Sequence, residues 1–334
     1  MSPPNLGPSS VAVAAFEPDD PTAELAGAVR QGLGDEPKWL PSKYFYDAYG
    51  SRLYEKITDL PEYYPYRAER ALLEREKEAI VAAARPQAIV ELGSGSASKT
   101  RLLLDAAVRA GTLEGFGAVE VSETALRASL DELRRHYPDI DLQGVLGDFN
   151  HWPELPFAGR DRLVLFLGST IGNFEDAEIA DILARVGASL GRRDTFLVGF
   201  DLVKDVAVLE AAYNDSQGVT AAFNRNLLRR LNRELGCEFH LDRFRHRAFY
   251  DRKRRRIEMH LVATVEQRVS LGRAGGVAHF AAGESIHTEI SRKFTADEVT
   301  RLASDAGLHL ERWISDREGR FGLAFLTPST GAAR

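Results

Sequence analysis

Two carboxylates and a pair of glycines are spaced along this chain so that they could hold a small ligand at the ends of parallel strands. Ala88 to Leu92 is a short, mostly apolar run carrying Glu91; Gly93-Ser94-Gly95 follows, and Thr100 to Ala110 reads as a helix. A buried strand, a glycine-rich turn and a helix start are what such a ligand needs. Glycine removes the side chain where backbone must pass close to it. Ser96 or Ser98 can cap the helix, whose free N–H groups can face the ligand. Phe116 to Ser122 is a second strand with Glu120 near its C-terminal end, where an acid commonly holds ribose hydroxyls. A dinucleotide fingerprint places a third glycine at the position of Ser98. Its absence points away from a nicotinamide cofactor and toward S-adenosylmethionine, a sulfonium compound with no pyrophosphate to cradle. On spacing alone, an ordinary tight βα turn remains open.

Other residue types in the chain suit a small polar substrate. Tyr44, Tyr46, Tyr49, Tyr54, Tyr63, Tyr64 and Tyr66 crowd one stretch beside prolines. Tyrosine packs with its ring and hydrogen-bonds with its hydroxyl, so the cluster reads either as a rigid pocket wall or as aromatic packing. Asp148-Phe149, after a third strand at Asp141, could bind an adenine amino group and stack on its ring, or form a turn. The most apolar strand, Arg162 to Leu167, runs into Gly168-Ser169-Thr170-Ile171-Gly172-Asn173-Phe174. Ligands bind outside the carboxyl ends of parallel strands, and Asn173 offers both a donor and an acceptor there. Glu289 and Ser291 lie two apart, so an extended segment points both to one face; Glu289 could equally pair with Arg292 or Lys293 at the surface.

The elements that must position these groups alternate. Helices are expected at 22–34, 50–58, 68–84, 100–110, 123–136 and 177–190, and a strand at 195–201 completes five βα-type units. The pattern then changes. Helices at 205–212 and 219–235 precede strands at 239–249 and 256–271, with a basic turn Asp251-Arg252-Lys253-Arg254-Arg255 read as a solvated hairpin tip. A helix starting at Thr295-Ala296-Asp297-Glu298 and running to about 306, and a closing hairpin, 308–316 with 321–327, return to the first pattern. Residues 1–21 read as a loose arm. The chain has 334 residues, 44% hydrophobic and 28% charged, with a net charge of −6, as an ordinary globular protein does. That charge gives no general attraction to nucleic acid. A lone cysteine, Cys237, excludes disulfide frameworks and Cys-rich metal sites. No apolar run approaches the roughly 20 residues of a membrane span, and no secretory leader is visible, so a cytoplasmic protein is expected.

On the motifs Leu60-Pro61-Glu62-Tyr63-Tyr64-Pro65, Glu91-Leu92-Gly93-Ser94-Gly95-Ser96, Gly168 to Phe174 and Ala212-Tyr213-Asn214-Asp215, the chain resembles the L-histidine Nα-methyltransferases of ergothioneine biosynthesis from about Pro37 to its end. The resemblance implies an α/β fold: a Rossmann-like class I methyltransferase sheet with an antiparallel last strand, plus a second α+β substrate domain. The expected division is an N-terminal segment at 1–66 belonging to the substrate domain, a cofactor-binding domain at 67–201, an inserted substrate domain at 202–287, and a C-terminal part of the methyltransferase domain at 288–334. It implies S-adenosyl-L-methionine as methyl donor, no metal, and trimethylation of L-histidine through its mono- and dimethyl forms to hercynine. By the same resemblance Gly93, Lys99, Glu120, Asp148 and Phe149 bind the cofactor. Asn173 and Tyr213 hold the substrate carboxylate. Tyr63, Glu289, Ile290 and Ser291 contact or enclose the histidine side chain, Met259 packs on its imidazole, and Tyr46 stands near the amine. Glu120 stands where relatives can carry Asp. A monomer without nucleic-acid or membrane partners is expected.

Methylation of another amino acid such as tryptophan, a binding module without turnover, and a nicotinamide oxidoreductase are the competing readings. Glu289 with Ser291 and Met259 favours an imidazole, because an indole offers one donor and no acceptor. No dedicated general base is legible.

Overall fold

A computed structural model of the chain describes residues 12–15, 20–95, 97–147 and 154–329. These fall into two compact units, one of Pro65–Val203 and Phe294 onward together with the strand Ala12–Ala15, the other of Glu17–Tyr64 and Lys204–Lys293.

The first unit is built on an eight-stranded sheet. Its spatial order is Ala12–Ala15, Asp141–Leu146, Gly115–Glu120, Ala88–Leu92, Arg162–Phe166, Thr195–Asp201, Phe321–Pro328 and Leu308–Ser315. The first six run parallel, and Phe321–Pro328 pairs antiparallel with Thr195–Asp201. This is the expected class I methyltransferase sheet. Its central strands Ala88–Leu92, Arg162–Phe166 and Thr195–Asp201 are buried along their whole length and mostly apolar, because helices cover both faces. Ile89, Ala118, Leu142, Leu163, Leu165 and Leu197 pack on one side with Leu72, Leu103 and Leu130 from the helices. Val90, Val119, Val164, Phe166 and Val198 alternate to the other side, against Ile179, Leu183 and Val299.

The strand order reverses between Ala88–Leu92 and Arg162–Phe166, and a crevice for ligands opens at such a switch point. The loops leaving these two strands, 93–99 and 167–173, are therefore the ones that bear on a ligand. Residues 12–15 correct the reading of 1–21 as a loose arm. They pair in parallel register with 143–146, because the edge of Asp141–Leu146 offers backbone groups that another strand satisfies.

The second unit sets the helices Pro21–Gly34, Ala48–Thr58, Val206–Tyr213 and Val219–Leu235 against a three-stranded antiparallel sheet and a short hairpin. Strand Arg256–Ala263 is central, flanked by Phe244–Asp251 and Ser285–Arg292. The expected single strand over 256–271 breaks at Ala263; Gln267–Ser270 instead pairs with Val277–Phe280 in the hairpin. Gly50 allows helix Ala48–Thr58 to lie directly on the turn before it: a Cβ there would sit 1.8 Å from the Phe45 carbonyl oxygen. That close approach fixes the turn carrying Tyr46. The strand Ser285–Arg292, with its last residues Glu289 to Arg292, belongs to this unit together with Lys293.

Candidate functional site

In the first unit the ligand-facing groups converge on the turn after Ala88–Leu92. Gly93 and Gly95 take φ of +71° and +49°, a left-handed conformation glycine adopts without strain, and open space lies where a Cβ would stand at either position. The Gly93 N–H donates to the Val119 carbonyl at 2.8 Å, so the turn is tied to the neighbouring strand. Glu120 closes that strand. One carboxylate oxygen accepts from Gly95 N–H at 2.9 Å, and the other from Val121 and Ser122 N–H at 2.9 and 3.3 Å. Burial raises its pKa while these backbone donors lower it. Two glycines with an open face and a carboxylate across from them fit S-adenosylmethionine: bare backbone for its amino-acid portion and an acceptor for its ribose hydroxyls. Glu91 lies beneath the turn, 3% exposed. Burial pushes its carboxyl up to about 8, against the Thr100 hydroxyl and the Lys99 ammonium, which pull it down.

Lys99, assigned to the cofactor by resemblance, forms an ion pair with Glu69. Glu69 is fully buried and also accepts from Gly168 N–H at 2.8 and 2.9 Å. This carboxylate thus joins the two loops at the switch point. Gly199 makes room for it, since a Cβ there would meet Glu69 Oε1 at 2.1 Å. Ser98 does not cap the following helix. Its cap position is Lys99, with no side-chain hydrogen bond, while Ser98 shares a 3.1 Å hydrogen bond with the Tyr66 hydroxyl; Ser96 lies outside the described residues. Ser169 adopts φ +54°, and its hydroxyl accepts from Asp201 N–H at 2.9 Å. That strained corner leads into the short helix Thr170–Asn173, which ends on Asn173. Asp148 and Phe149 lie outside the described residues.

In the second unit Tyr213 at the end of helix Val206–Tyr213 donates to Ser291 Oγ at 2.7 Å. Lys293, fully buried, donates to the same oxygen at 2.6 Å and to the Tyr213 hydroxyl at 3.4 Å. Two donors occupy the acceptor positions of the serine oxygen. The serine's own proton is therefore left to point at a further acceptor. Glu289 lies two residues earlier on the same strand face, beside its cross-strand partner Met259. Burial lifts the Glu289 carboxyl to about 7, and the Lys293 ammonium opposes that shift. A bulge between His287 and Glu289 sets this register. The bulged residue, Thr288, turns its hydroxyl to Asn224 Oδ1 and the Met259 carbonyl, at 2.9 and 3.1 Å.

The tyrosine cluster separates into parts. Tyr46, Tyr54, Tyr63 and Tyr213 form a continuous edge-to-face chain, with centroids 5.7, 6.4 and 6.2 Å apart in turn. Phe223 backs Tyr46 and Tyr54. Burial and its phenolic neighbours raise the Tyr63 pKa well above the usual tyrosine range, so this ring stays neutral. Tyr49 instead lies at the surface below Arg229, Tyr44 lies beneath Arg230, and Tyr66 belongs to the other unit.

The second unit thus brings together Tyr63, Tyr213, Met259, Glu289 and Ser291, with Tyr46 at the far end of the aromatic chain. Ile290 is a correction. Alternation along the strand turns its side chain to the opposite sheet face, paired with Glu258, so it does not join Glu289 and Ser291. In the first unit Gly93, Lys99 and Glu120 gather at one turn and Asn173 follows the other. Glu69 and Lys293 escaped the reading of the sequence. Lys293 had a signal, being the third member of the i, i+2, i+4 series begun by Glu289 and Ser291. Glu69 had none, sitting among charged residues of helix Tyr64–Ala84.

A family model described as histidine-specific methyltransferase, SAM-dependent, matches residues 25–328. The chain is 45% identical over 307 residues to the histidine N-alpha-methyltransferase of Mycolicibacterium smegmatis, covering 92% of this chain and 95% of that protein. It is 44% identical over 297 residues to the protein of the same name from Mycobacterium tuberculosis, covering 89% and 92% respectively. Among solved structures it resembles the CcbJ methyltransferase of Streptomyces caelestis at 18% identity and a TM-score of 0.46, covering 77% of this chain and 96% of that one.

Proposed function

The chain belongs to the histidine-specific, S-adenosylmethionine-dependent methyltransferase family, and from that premise we propose that it methylates the α-amino group of L-histidine three times, giving hercynine for ergothioneine biosynthesis. The observation that carries this reading is the pairing of Glu289 with Ser291. On one strand face it presents a carboxylate acceptor and, two residues on, a hydroxyl whose oxygen already accepts from Tyr213 and Lys293. A neutral imidazole has one N–H and one lone pair, and this pair of groups meets both. Met259, its cross-strand neighbour, supplies a flat polarisable wall for the ring. The lone N–H of an indole would satisfy the acceptor and leave the serine donor without a partner.

When bound, S-adenosylmethionine supplies an electrophilic methyl group on sulfonium. The chain's own residues must hold an uncharged amine in line with it, at the roughly 3–3.5 Å of a near-attack geometry. The proposed donor to the substrate carboxylate is Asn173; the Tyr213 hydroxyl, whose single proton goes to Ser291 Oγ, is assigned to orienting that serine. Each methylation removes an N–H donor, so the surroundings of the nitrogen must be roomy and aromatic. The rings of Tyr46, Tyr54 and Tyr63 suit this, and their faces also stabilise a methylated ammonium. Protons from the amine pass to solvent. Glu120, with Asp148 and Phe149, is assigned to the adenosine portion of the cofactor, Gly93 to its amino-acid portion, and Lys99 to holding the Gly93–Lys99 turn through Glu69. The unit containing Glu289 is proposed as the substrate domain. Action as a monomer in the cytoplasm, on a free amino acid and without a metal in the transfer step, completes the reading. No helix among the described residues is long and apolar enough to cross a membrane.

The test is incubation with S-adenosylmethionine and a panel of free amino acids, read by mass spectrometry. Mono-, di- and trimethylhistidine should appear in succession, with histamine, which lacks the carboxylate, a poor substrate. Preferred methylation of tryptophan, or cofactor binding without methyl transfer to any amino acid, would overturn the proposal.

A further inference from the structure

Glu258, His260 and His287 form a cluster that methyl transfer leaves without a role. Glu258 and His260 project from strand Arg256–Ala263 on the face opposite Met259, and His287 is the cross-strand partner of His260 just before the bulge. One donor atom from each of the three lies within 4.8 Å of the other two. His260 Nε2 and Glu258 Oε2 are 3.2 Å apart, close to the edge of a tetrahedron whose metal–ligand bonds are about 2.0–2.1 Å long.

The remaining polar atoms of these side chains are already engaged. His260 Nδ1 lies 3.2 Å from Ser285 Oγ. Glu258 Oε1 accepts from Arg256 Nε and is paired with its terminal nitrogen, both at 2.9 Å, with Arg254 at 3.5 Å. The His287 ring hydrogen-bonds the Glu289 backbone. Outer partners of this kind fix the tautomer and aim of metal-ligating side chains. His287 Nε2, by contrast, is buried with no hydrogen-bond partner, and such an orphaned polar atom calls for an explanation. Burial also lowers the pKa of both imidazoles, toward the neutral form that ligates. Arg247, the cross-strand partner of His260 on its other side, shares this face with Arg245, Arg256 and Arg292. The Arg256 guanidinium is directed at Oε1, which leaves Oε2 for the cluster's centre.

We propose that Glu258, His260 and His287 bind one first-row divalent cation of the zinc, nickel or copper type. Two imidazoles and one carboxylate select such an ion over magnesium or calcium, which prefer all-oxygen shells. Half-buried imidazoles leave room for water at the remaining coordination positions. The ion ties strand Arg256–Ala263 to Ser285–Arg292 at the bulge preceding Glu289, and so braces the strand that carries Glu289 and Ser291 on its other face.

The test uses the full chain without an affinity tag, stripped with chelator, in the absence of histidine and S-adenosylmethionine. Cobalt(II) is titrated and followed by its visible absorption, then displaced with zinc. One cobalt per chain is expected, with a rise in Tm on zinc binding. Uptake should vanish in His287→Ala and His260→Gln and persist in His279→Ala, which alters an exposed histidine outside the cluster. Circular dichroism checks that each variant folds. Should His287→Ala not fold, His287→Gln and Glu258→Gln carry the same comparison. Wild-type protein that takes up no cobalt or zinc, or uptake that survives in the folded cluster variants, overturns the proposal and leaves only a His260–Glu258 hydrogen bond on this face.

Discussion

Replacing Lys293 by methionine tests whether histidine is recognised through a serine whose proton is aimed. Lys293 is completely buried, and its ammonium donates to Ser291 Oγ at 2.6 Å, alongside the Tyr213 hydroxyl at 2.7 Å. Methionine keeps the length of the side chain and deletes the donor. Ser291 then regains an open acceptor position and is free to turn its proton back toward Tyr213. A hydrogen bond involving a charged group is worth about 1.5–3 kcal/mol, which at 1.36 kcal/mol per decade corresponds to a fall of about 10- to 150-fold in kcat/KM for histidine. The loss should lie mainly in KM, because the donor orders the substrate and not the transferring methyl. Cofactor affinity, measured by calorimetry, should stay at the wild-type value. A double-mutant cycle with Ser291→Ala isolates the mechanism. If Lys293 acts mainly through the serine, the double variant should lose much less than the sum of the two single losses, the remainder being the effect of the Lys293 ammonium on the Glu289 carboxyl. Additive losses would refute the reasoning, and so would a fall in kcat with KM unchanged.

Two further outcomes follow from the same geometry. Glu289→Ala, especially with Met259→Val to widen the pocket, should cost histidine about 2–4 kcal/mol of kcat/KM by removing a buried charge-assisted acceptor, and should gain tolerance for tryptophan; a proportional fall for every amino acid would move Glu289 from specificity to chemistry or folding. Glu91→Gln should stabilise the protein, increasingly so with pH. Burial raises the folded-state pKa of Glu91 from 4.5 to about 8, so the unfolded chain releases this proton before the folded one does. The resulting penalty is absent below pH 4.5, grows as pH rises to about 8, and is constant above that. Urea unfolding at pH 5, 7 and 9 reads it: the gap between variant and wild type should widen by a few kcal/mol, and a constant gap would show that Glu91 is not held protonated.

Much of the first unit was legible because its information is local. A run of apolar residues, two glycines and a resumed helical period fall within residues 88–110, and each is a statement about neighbours in the chain. The same holds for helices 123–136 and 219–235, for the strand at 195–201 and for the hairpin that closes the sheet. The types and spacing of Glu289 and Ser291 likewise announce one face of a strand before any fold is known, and the motifs around Tyr63, Gly93, Asn173 and Tyr213 carry the family. What tertiary structure alone decided are the pairings between distant segments. The strand at 12–15 exists because Asp141–Leu146 offers it an edge, and no periodicity in four residues could reveal that. The bulge at Thr288 places Glu289 beside Met259 and turns Ile290 to the opposite face, a register that depends on strand Arg256–Ala263. Glu69 finds Lys99 thirty residues away and Gly168 ninety-nine away. Tyr213 and Lys293, eighty apart, meet on the oxygen of Ser291. Propensity and pattern are set by covalent neighbours, whereas a buried charge or hydroxyl takes its role from whichever groups the packed chain brings within about 3 Å of it.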